Sequence, residues 1–322
     1  KQGADAVRWY FYTASAPWIP SRFYPEAVSE AQRRYMGPLW NSYAFFVLYA
    51  DIDKYDPSKY DLKKCKLTLM DKFILSKLNT LIQTVDKGLN EYDITDSARA
   101  LQDFVDVLST WYGRRGRERY WGKEMTEDKA AAYTTLYTVL VTLAKLTAPF
   151  TPFIAEQMYQ NLVPNFYKDA PRSVHMCAFP VCDESAIDRE LEKGMDSVLE
   201  VVVLGRAARN AGNLKNRQPL AEMIVATERD LDLNDELKGV ILDELNIKAM
   251  KEAKDAASLI TYKLKPQMKT LGPKYGKLLN GIRAFLETCD GAAVVAAVRN
   301  GGTYKTEISG AEVELCEEDL LI

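Results

Sequence analysis

Residues 67–89 read LTLMDKFILSKLNTLIQTVDKGL, and apolar residues recur in them every three or four positions. The repeat consists of Leu, Met, Ile, Leu, Leu, Val and Leu at positions 67, 70, 74, 78, 81, 85 and 89. This spacing places one apolar stripe along one face of an α-helix, which is typical of a helix that packs against other helices. We therefore predict a mainly α-helical protein.

The same period continues on both sides of this stretch. Asp93 and Asp96 stand near the beginning of the next apolar period, where carboxylates stabilise a helix N-terminus. The predicted helices are residues 27–49, interrupted near Gly37-Pro38, and residues 67–89, 94–112, 126–149 and 151–162. Together they predict a bundle of four or five helices.

Beyond about residue 215, long helical periods give way to short apolar runs that are separated by turn residues. The predicted elements here are strands at residues 223–227, 247–253 and 259–264, helices at 235–246 and 278–287, and a hairpin of 304–308 with 311–315 around Ser309-Gly310. The predicted fold class is mainly α, with a helical bundle followed by a small α+β C-terminal domain.

The length of 322 residues corresponds to two domains of about 150 residues each. The predicted bounds are 1–26 for a connection to a preceding domain, 27–163 for the helical bundle, 164–214 for a linker loop and helix, and 215–322 for the small α+β domain. Because the chain begins without Met on an apolar aromatic run, we expect it to be a piece of a larger protein.

The composition excludes several classes of protein. Apolar residues make up 47% and charged residues 27%, which argues against a disordered tail, a collagen-like repeat or a disulfide scaffold. No uninterrupted apolar run approaches the roughly 18 residues of a membrane span. We expect a soluble, cytoplasmic protein that does not bind a membrane.

Cysteine and histidine are too few and too scattered for a metal site. The five cysteines form no C-x-x-C pair, and the chain holds one histidine, His175. A tetrahedral zinc site needs about four convergent ligands, so we expect reduced thiols and no metal. We find no arrangement of a nucleophile with a base, and therefore predict no catalytic residue.

Positive charge is concentrated in three islands, although the net charge is −3. Residues 111–123 hold five cations and one acid, residues 205–218 hold four cations, and residues 263–277 hold five lysines. Such islands favour discrete contacts with a polyanion, because neutralising phosphates releases counterions. The alternative is that each island is an ordinary solvated surface.

The first island contains the most informative motif, W-Y-x-R-R-x-R-x-R-x-W at residues 111–121. Arginine forms bidentate bonds with phosphate and stacks on bases, while aromatic side chains offer stacking surfaces for unpaired bases. The motif therefore indicates an RNA contact. The alternative is that the cations complement the dipole of a helix C-terminus and the tryptophans lie in the core.

This motif, followed by Asp128-Lys129-Ala130 and by the run APFTPF at residues 148–153, resembles the anticodon-binding helical bundle of class I aminoacyl-tRNA synthetases. Three further runs narrow the choice among these synthetases: SVHM at residues 173–176, LKNRQPL at 214–220 and KTLGPKYGK at 269–277. With them the chain resembles the isoleucyl-tRNA synthetase family, in its eukaryote-like branch, over essentially its whole length.

The resemblance implies an enzyme that joins isoleucine to tRNA(Ile) with ATP through an aminoacyl-adenylate. The chain lacks the family's His-Ile-Gly-His and Lys-Met-Ser-Lys-Ser motifs. We therefore expect the catalytic and editing domains to lie upstream, with residues 1–26 as the remnant of the connection to the core. ATP and magnesium are expected only in that missing core, and this piece is expected to hold no cofactor and to be inactive alone.

The resemblance and the charge islands together suggest where the partner, tRNA(Ile) and not DNA, would bind. The predicted tRNA-binding residues are Arg114, Arg115, Arg117, Arg119, Trp121, Arg217, Lys265, Lys269, Lys274 and Lys277. We expect the islands to converge on one surface that holds the anticodon arm. Two alternatives are the corresponding part of valyl-tRNA synthetase and a helical protein-interaction module that does not bind RNA.

Overall fold

The computed structural model describes residues 2–16, 18–20, 22–227, 231, 233–253 and 262–321. They form two compact units, Lys1–Leu199 and Glu200–Ile322. The division lies inside a continuous helix, whereas the sequence analysis begins the second domain at residue 215. The domain bounds given above stay predictions.

The first unit is a helical bundle, and the mainly α fold class with a small α+β part is confirmed. Its helices are α1 (Ala4–Ala14), α2 (Pro25–Asp53), α3 (Leu69–Asn90), α4 (Ile94–Asp106), α5 (Arg114–Gly116), α6 (Glu127–Thr147), α7 (Pro152–Leu162) and the first part of α8 (Arg189–Ala211). A π-helix, Val107–Gly113, joins α4 to α5, and a 3-10 helix, Arg117–Tyr120, follows α5.

The apolar stripe predicted between residues 67 and 89 forms the buried face of α3. Ile74, Leu78 and Val85 lie in the core of the bundle. The helix begins at a capping box, in which the backbone of Asp71 donates to the Thr68 hydroxyl and the Asp71 carboxylate accepts from the Thr68 backbone. Local periodicity and capping chemistry therefore agree with the position of this helix.

The predicted interruption of α2 at Gly37-Pro38 is wrong. The helix runs through Pro38 from Pro25 to Asp53. A proline inside a helix removes one backbone hydrogen bond and costs about 3 kcal/mol. Burial of Tyr35 and Leu39 on either side offsets this cost, because both side chains are fully enclosed in the core.

Helix α1 was not predicted, yet it is part of the bundle core. Trp9 stacks on Tyr35 of α2 with ring centroids 3.7 Å apart, and it meets Phe150 edge to face. The Asp5 carboxylate accepts from the backbone N–H of Ile154 at the start of α7. Among the helices of the described ranges, none is long and apolar enough to cross a membrane.

The second unit combines short helices with two-stranded pairings. Its elements after α8 are β1 (Met223–Ala226), α9 (Asp235–Leu245), β2 (Met250–Ala253), β3 (Lys265–Pro266), α10 (Met268–Tyr275), α11 (Leu279–Thr288), α12 (Gly291–Val298), β4 (Tyr304–Ile308), β5 (Ala311–Leu315) and β6 (Leu320–Leu321). β1 pairs with β2 in parallel, and β3 pairs with β6 and β4 with β5 antiparallel.

The hairpin around Ser309-Gly310 is confirmed. Both turn residues have positive φ, 54° and 80°, which the tight connection between β4 and β5 requires. The predicted strand at residues 223–227 is confirmed as β1. The predicted strand at residues 259–264 falls largely outside the described residues.

Two glycines in helices of the second unit allow the effect of close packing on stability to be tested, because one is packed and the other is not. A Cβ added at Gly205 on α8 would lie 2.4 Å from Leu245 Cδ1, whereas a Cβ at Gly239 on α9 would meet nothing within 4 Å. Leu245 is fully buried and has little room to move. We expect Gly205→Ala to lower the free energy of unfolding by about 1–3 kcal/mol, through overpacking.

The control variant Gly239→Ala is expected to raise the free energy of unfolding by about 0.5–1 kcal/mol, since alanine loses less backbone entropy than glycine. Urea unfolding followed by circular dichroism measures both variants. Stabilisation of similar size in the two variants would contradict the close packing of α8 on Leu245.

Candidate nucleic-acid interface

Residues 111–121, which we name the arginine segment, run from the end of the π-helix through α5 into the 3-10 helix. Trp111 and Tyr112 are adjacent in sequence and both are buried, whereas Arg114 and Arg117 are exposed. A π-helix is wider than an α-helix and often marks a functional site. Here it lets two consecutive aromatic residues enter the core while the arginines after them reach solvent.

Arg119 is tied to two carboxylates. Its Nη1 and Nη2 donate to the two oxygens of Asp71 at 2.8 and 2.9 Å, and Nη2 also donates to Asp128 Oδ1 at 2.8 Å. The Asp71 side chain is fully buried, and that of Arg119 is 15% exposed. Tyr112 Oη donates to the same carboxylate at 2.8 Å. This cluster joins the beginnings of α3 and α6 to the arginine segment.

The cluster gives Arg119 a structural role. Bidentate pairing with Asp71 and a second carboxylate at Asp128 occupy both ends of its guanidinium. Such paired, charge-assisted bonds are among the strongest in proteins and are not readily exchanged for a phosphate. Arg119 holds the arginine segment in place through these bonds, and its contact with RNA stays a prediction.

The Asp71 carboxyl remains ionised despite its burial. Burial raises its pKa, but hydrogen bonds from Arg119, the positive charge of Arg119 and hydrogen bonds from Thr68 outweigh that effect. The pKa of Asp71 is therefore below its usual value. For Arg119, pairing with Asp71 and Asp128 outweighs the desolvation that opposes its charge, and its pKa is raised.

This lowered pKa predicts an acid-sensitive fold. Because the folded-state pKa of Asp71 is below the unfolded value of about 3.9, the carboxylate contributes stability above that pH and loses it as pH falls through the folded value. We expect Asp71→Asn to be destabilised near neutral pH and to show a weaker loss of stability on acidification than the unchanged chain. Urea midpoints measured from neutral pH to below pH ~3.9 give the comparison. Parallel pH profiles for the two proteins would contradict the role given to Asp71.

Among the other cations of the arginine segment, Arg114 and Arg117 are exposed and Arg115 is partly buried. Arg114 Nε donates to the backbone oxygen of Thr110 at 3.1 Å. The Arg115 guanidinium lies 5.5 Å from the Trp111 ring centroid, and that of Arg117 lies 5.8 Å from the ring of Phe45. At these cation–π distances, each ring helps to orient the guanidinium beside it.

Trp121 ends the segment with its side chain 57% exposed. An exposed indole beside arginines is a stacking surface of the kind that unpaired RNA bases use. The structure therefore brings four of the predicted residues, Arg114, Arg115, Arg117 and Trp121, together on one short segment.

A buried lysine supports the loop that follows. Lys129 Nζ lies 2.6 Å from Asp53 Oδ2 and donates to the backbone oxygen of Gly122. Tyr133 Oη donates to the same Asp53 carboxylate. The roles of Asp71 and Asp128 were not predicted, because carboxylates in the first turn of a helix look like ordinary capping residues. The role of Asp53 was not predicted because its partners, Lys129 and Tyr133, lie far along the chain on α6.

The predicted residues of the second unit are exposed. Arg217 follows α8, and Lys265 lies on β3. Lys269 and Lys274 lie on α10, and Lys277 lies in the 3-10 helix Gly276–Leu278 that follows it. Lys274 Nζ is 3.0 Å from Asp319 Oδ2 but its side chain remains 49% exposed. The convergence of all three islands on one surface stays a prediction.

One cation of the second island is structural. Arg209 is 3% exposed, and its guanidinium donates to the backbone oxygens of Lys215, Gln218 and Leu245. Arg206 of the same helix pairs with Glu244. These contacts hold the segment after α8 against α9, so only part of this island faces solvent.

No metal site or disulfide is found among the described residues. The five cysteines are unpaired thiols, and no group of three or more His, Cys, Asp or Glu side chains in the described ranges is placed to hold a metal ion.

Comparison with known proteins finds similar sequences. The family model for the anticodon-binding domain of tRNA ligase matches residues 71–225, so its match begins at the buried Asp71. Isoleucine–tRNA ligase of Clostridium novyi is 47% identical over 323 residues, covering 100% of this chain and 31% of that protein.

Two further relatives agree. Isoleucine–tRNA ligase of Clostridium acetobutylicum is 48% identical over 321 residues, with 100% and 31% of the two chains covered. Isoleucine–tRNA ligase 2 of Bacillus cereus is 40% identical over 324 residues, with 100% and 30% covered. The chain thus spans less than a third of the length of these curated relatives. Residues 71–225 thus match the family model for the anticodon-binding domain of tRNA ligase, and the whole chain is similar in sequence to part of isoleucine–tRNA ligases.

Proposed function

We propose that this chain is the tRNA-binding part of an isoleucine–tRNA ligase and that its arginine segment contacts the anticodon arm of tRNA(Ile). The observation that carries the proposal is the cluster around Asp71. It fixes the arginine segment at Arg119 while Arg114 and Arg117 remain exposed, inside the region that matches the anticodon-binding family. Arginines on a segment that is already fixed lose less conformational entropy when they bind phosphates.

Within this proposal, the two kinds of side chain have different tasks. Arg114, Arg115 and Arg117 bind phosphates and so hold and orient the RNA, since phosphate contacts carry no base sequence. Trp121 stacks on a base that is unpaired in the loop. The exposed cations of the second unit, Arg217, Lys265, Lys269, Lys274 and Lys277, bind further phosphates of the tRNA.

The activity of the whole enzyme is also part of the proposal. Its other domains would use ATP and magnesium to charge tRNA(Ile) with isoleucine, in the cytoplasm. Membership of the eukaryote-like branch rests on the motifs at residues 214–220 and 269–277. We expect no adenylation by this chain alone, and isoleucine-dependent exchange of pyrophosphate into ATP by the purified chain would contradict that expectation.

Filter binding tests the RNA-binding function. The 322-residue chain is titrated against tRNA(Ile), tRNA(Val) and duplex DNA at several salt concentrations. We expect tRNA(Ile) to bind most tightly, with an affinity that falls by about 0.7–0.9 log units per log unit of salt for each phosphate contact.

Any other result would favour one of the alternative functions. An absent or salt-independent association would favour a helical protein-interaction module. Tighter binding of tRNA(Val) would favour the valyl counterpart, and equal binding of duplex DNA would indicate general attraction to polyanions.

A further inference from the structure

A cleft of about 670 Å³ opens on the helical bundle, and the function proposed above does not use it. The end of α2, the turn that follows it, the end of α7 and the segment after α7 form its walls. Its volume lies within the range of about 300–1,000 Å³ that is usual for small-ligand sites.

Aromatic rings and side-chain amides line this cleft. Phe46 and Tyr55 are buried at its base, and Phe166 stands at its edge with 39% of the residue exposed. Asn161 and Asn165 contribute two exposed amides. Flat rings beside amide groups, which both donate and accept hydrogen bonds, match the face and the edge of a nucleobase.

The amides are partly ordered before any ligand binds. Asn161 Nδ2 donates to Tyr43 Oη, and Asn165 Nδ2 donates to the backbone oxygen of Asn161 at 3.5 Å. Within the described part of the chain, neither side-chain oxygen accepts a hydrogen bond from protein. Each can therefore accept from an exocyclic amino group or a ring N–H of a base.

Charge at the mouth of the cleft is balanced, which argues against a small anion as the ligand. Lys54 lies 3.0 Å from Asp51, and Lys59 lies 3.4 Å from Asp56. A free phosphate or nucleoside polyphosphate would meet these carboxylates as well as the lysines. A neutral base suits the cleft better, provided that other cations hold the phosphates of its strand.

Those cations lie on the other side of α2. The Arg117 guanidinium lies 5.8 Å from the ring centroid of Phe45, and the Phe45 ring packs edge to face on Tyr120. The next residue of α2, Phe46, lines the cleft. The arginine segment and the cleft therefore contact consecutive residues of the same helix. A hairpin loop whose backbone binds the arginine segment is able to present a splayed base to the cleft.

We infer that this cleft receives one unstacked base of the RNA loop, held by Phe166 and the amides of Asn161 and Asn165. The inference rests on the function proposed above and adds a specificity site to it. The cleft reads the edge of the base through its amides, whereas the arginines bind phosphates regardless of sequence.

The test uses the anticodon stem-loop of tRNA(Ile) as an RNA hairpin, with each loop position made abasic in turn. For the unchanged chain, we expect one abasic position to weaken binding by about 5- to 150-fold, the loss of a stacked base. In the double variant Asn165→Ala, Phe166→Ala, that abasic position should no longer matter, because the site for the base is gone.

The control variant is Phe153→Ala, which removes a 67% exposed phenylalanine from α7 outside the cleft lining. It should keep the full effect of the abasic position, and circular dichroism confirms folding of all three proteins. If the double variant discriminates as well as the unchanged chain, or if no abasic position weakens binding, the inference is wrong. If hairpin binding does not respond to salt or to loss of Arg114 and Arg117, the proposed function fails and the cleft inference fails with it.

Discussion

Replacing Arg119 by methionine is expected to lower the free energy of unfolding by about 3–5 kcal/mol, because the change leaves the Asp71 carboxylate buried without its counter-charge. Methionine retains most of the length of the side chain, so the loss is chiefly electrostatic. Tyr112 and Thr68 still donate to Asp71, but neither supplies positive charge. Urea unfolding followed by circular dichroism measures the effect.

Arg117→Met is the matched control for Arg119→Met. Arg117 lies two residues earlier in the same segment, is exposed and rests on the face of Phe45. Its replacement should change stability by about 1 kcal/mol or less, the size of an exposed cation–π contact. The structural role of Arg119 would be refuted by a stable Arg119→Met variant whose only defect is weaker tRNA binding.

The second large effect concerns RNA affinity. The double variant Arg114→Ala, Arg117→Ala should bind tRNA(Ile) roughly 10- to 100-fold more weakly at low salt, since two charge-assisted phosphate contacts are lost. The slope of log affinity against log salt should fall by roughly 1.4–1.8, or about 0.7–0.9 for each contact. Arg115 is left in place because it packs on Trp111.

A control for this variant removes two exposed lysines from another part of the bundle. Lys63→Ala, Lys64→Ala takes away the same amount of charge from the short helical turn Leu62–Lys64. We expect it to change affinity only slightly through net charge and to leave the slope nearly intact. Equal effects of the two double variants would show that general electrostatics, and not the arginine segment, governs binding.

Features with short-range causes were predictable from the sequence. The stripe on α3 repeats within one helix, and the hairpin at Ser309-Gly310 depends on two adjacent residues that accept positive φ. Pro38 misled the prediction because a local rule predicts a break there. The packing of Tyr35 and Leu39, which overrides that rule, comes from parts of the chain far away.

The candidate site also has a part that was predictable from the sequence and a part that was not. The arginine motif identified the segment, and four of its predicted residues lie together. The role of Arg119 depends on Asp71, which is 48 residues earlier and belongs to another helix. Nothing in the spacing of the motif distinguishes Arg119 from Arg117, so only the folded chain shows which arginine is committed to a carboxylate.

The π-helix Val107–Gly113 makes the length of the chain matter as much as its residue types at this point. A π-helix has i→i+5 hydrogen bonds and therefore holds more residues in each turn than an α-helix. Deleting one residue between 107 and 113 would let this turn close into an ordinary α-helix, and Trp111 and Tyr112 would then no longer both be directed into the core. A relative that has all the arginines but one residue fewer in this turn should therefore anchor them through a different set of aromatic contacts.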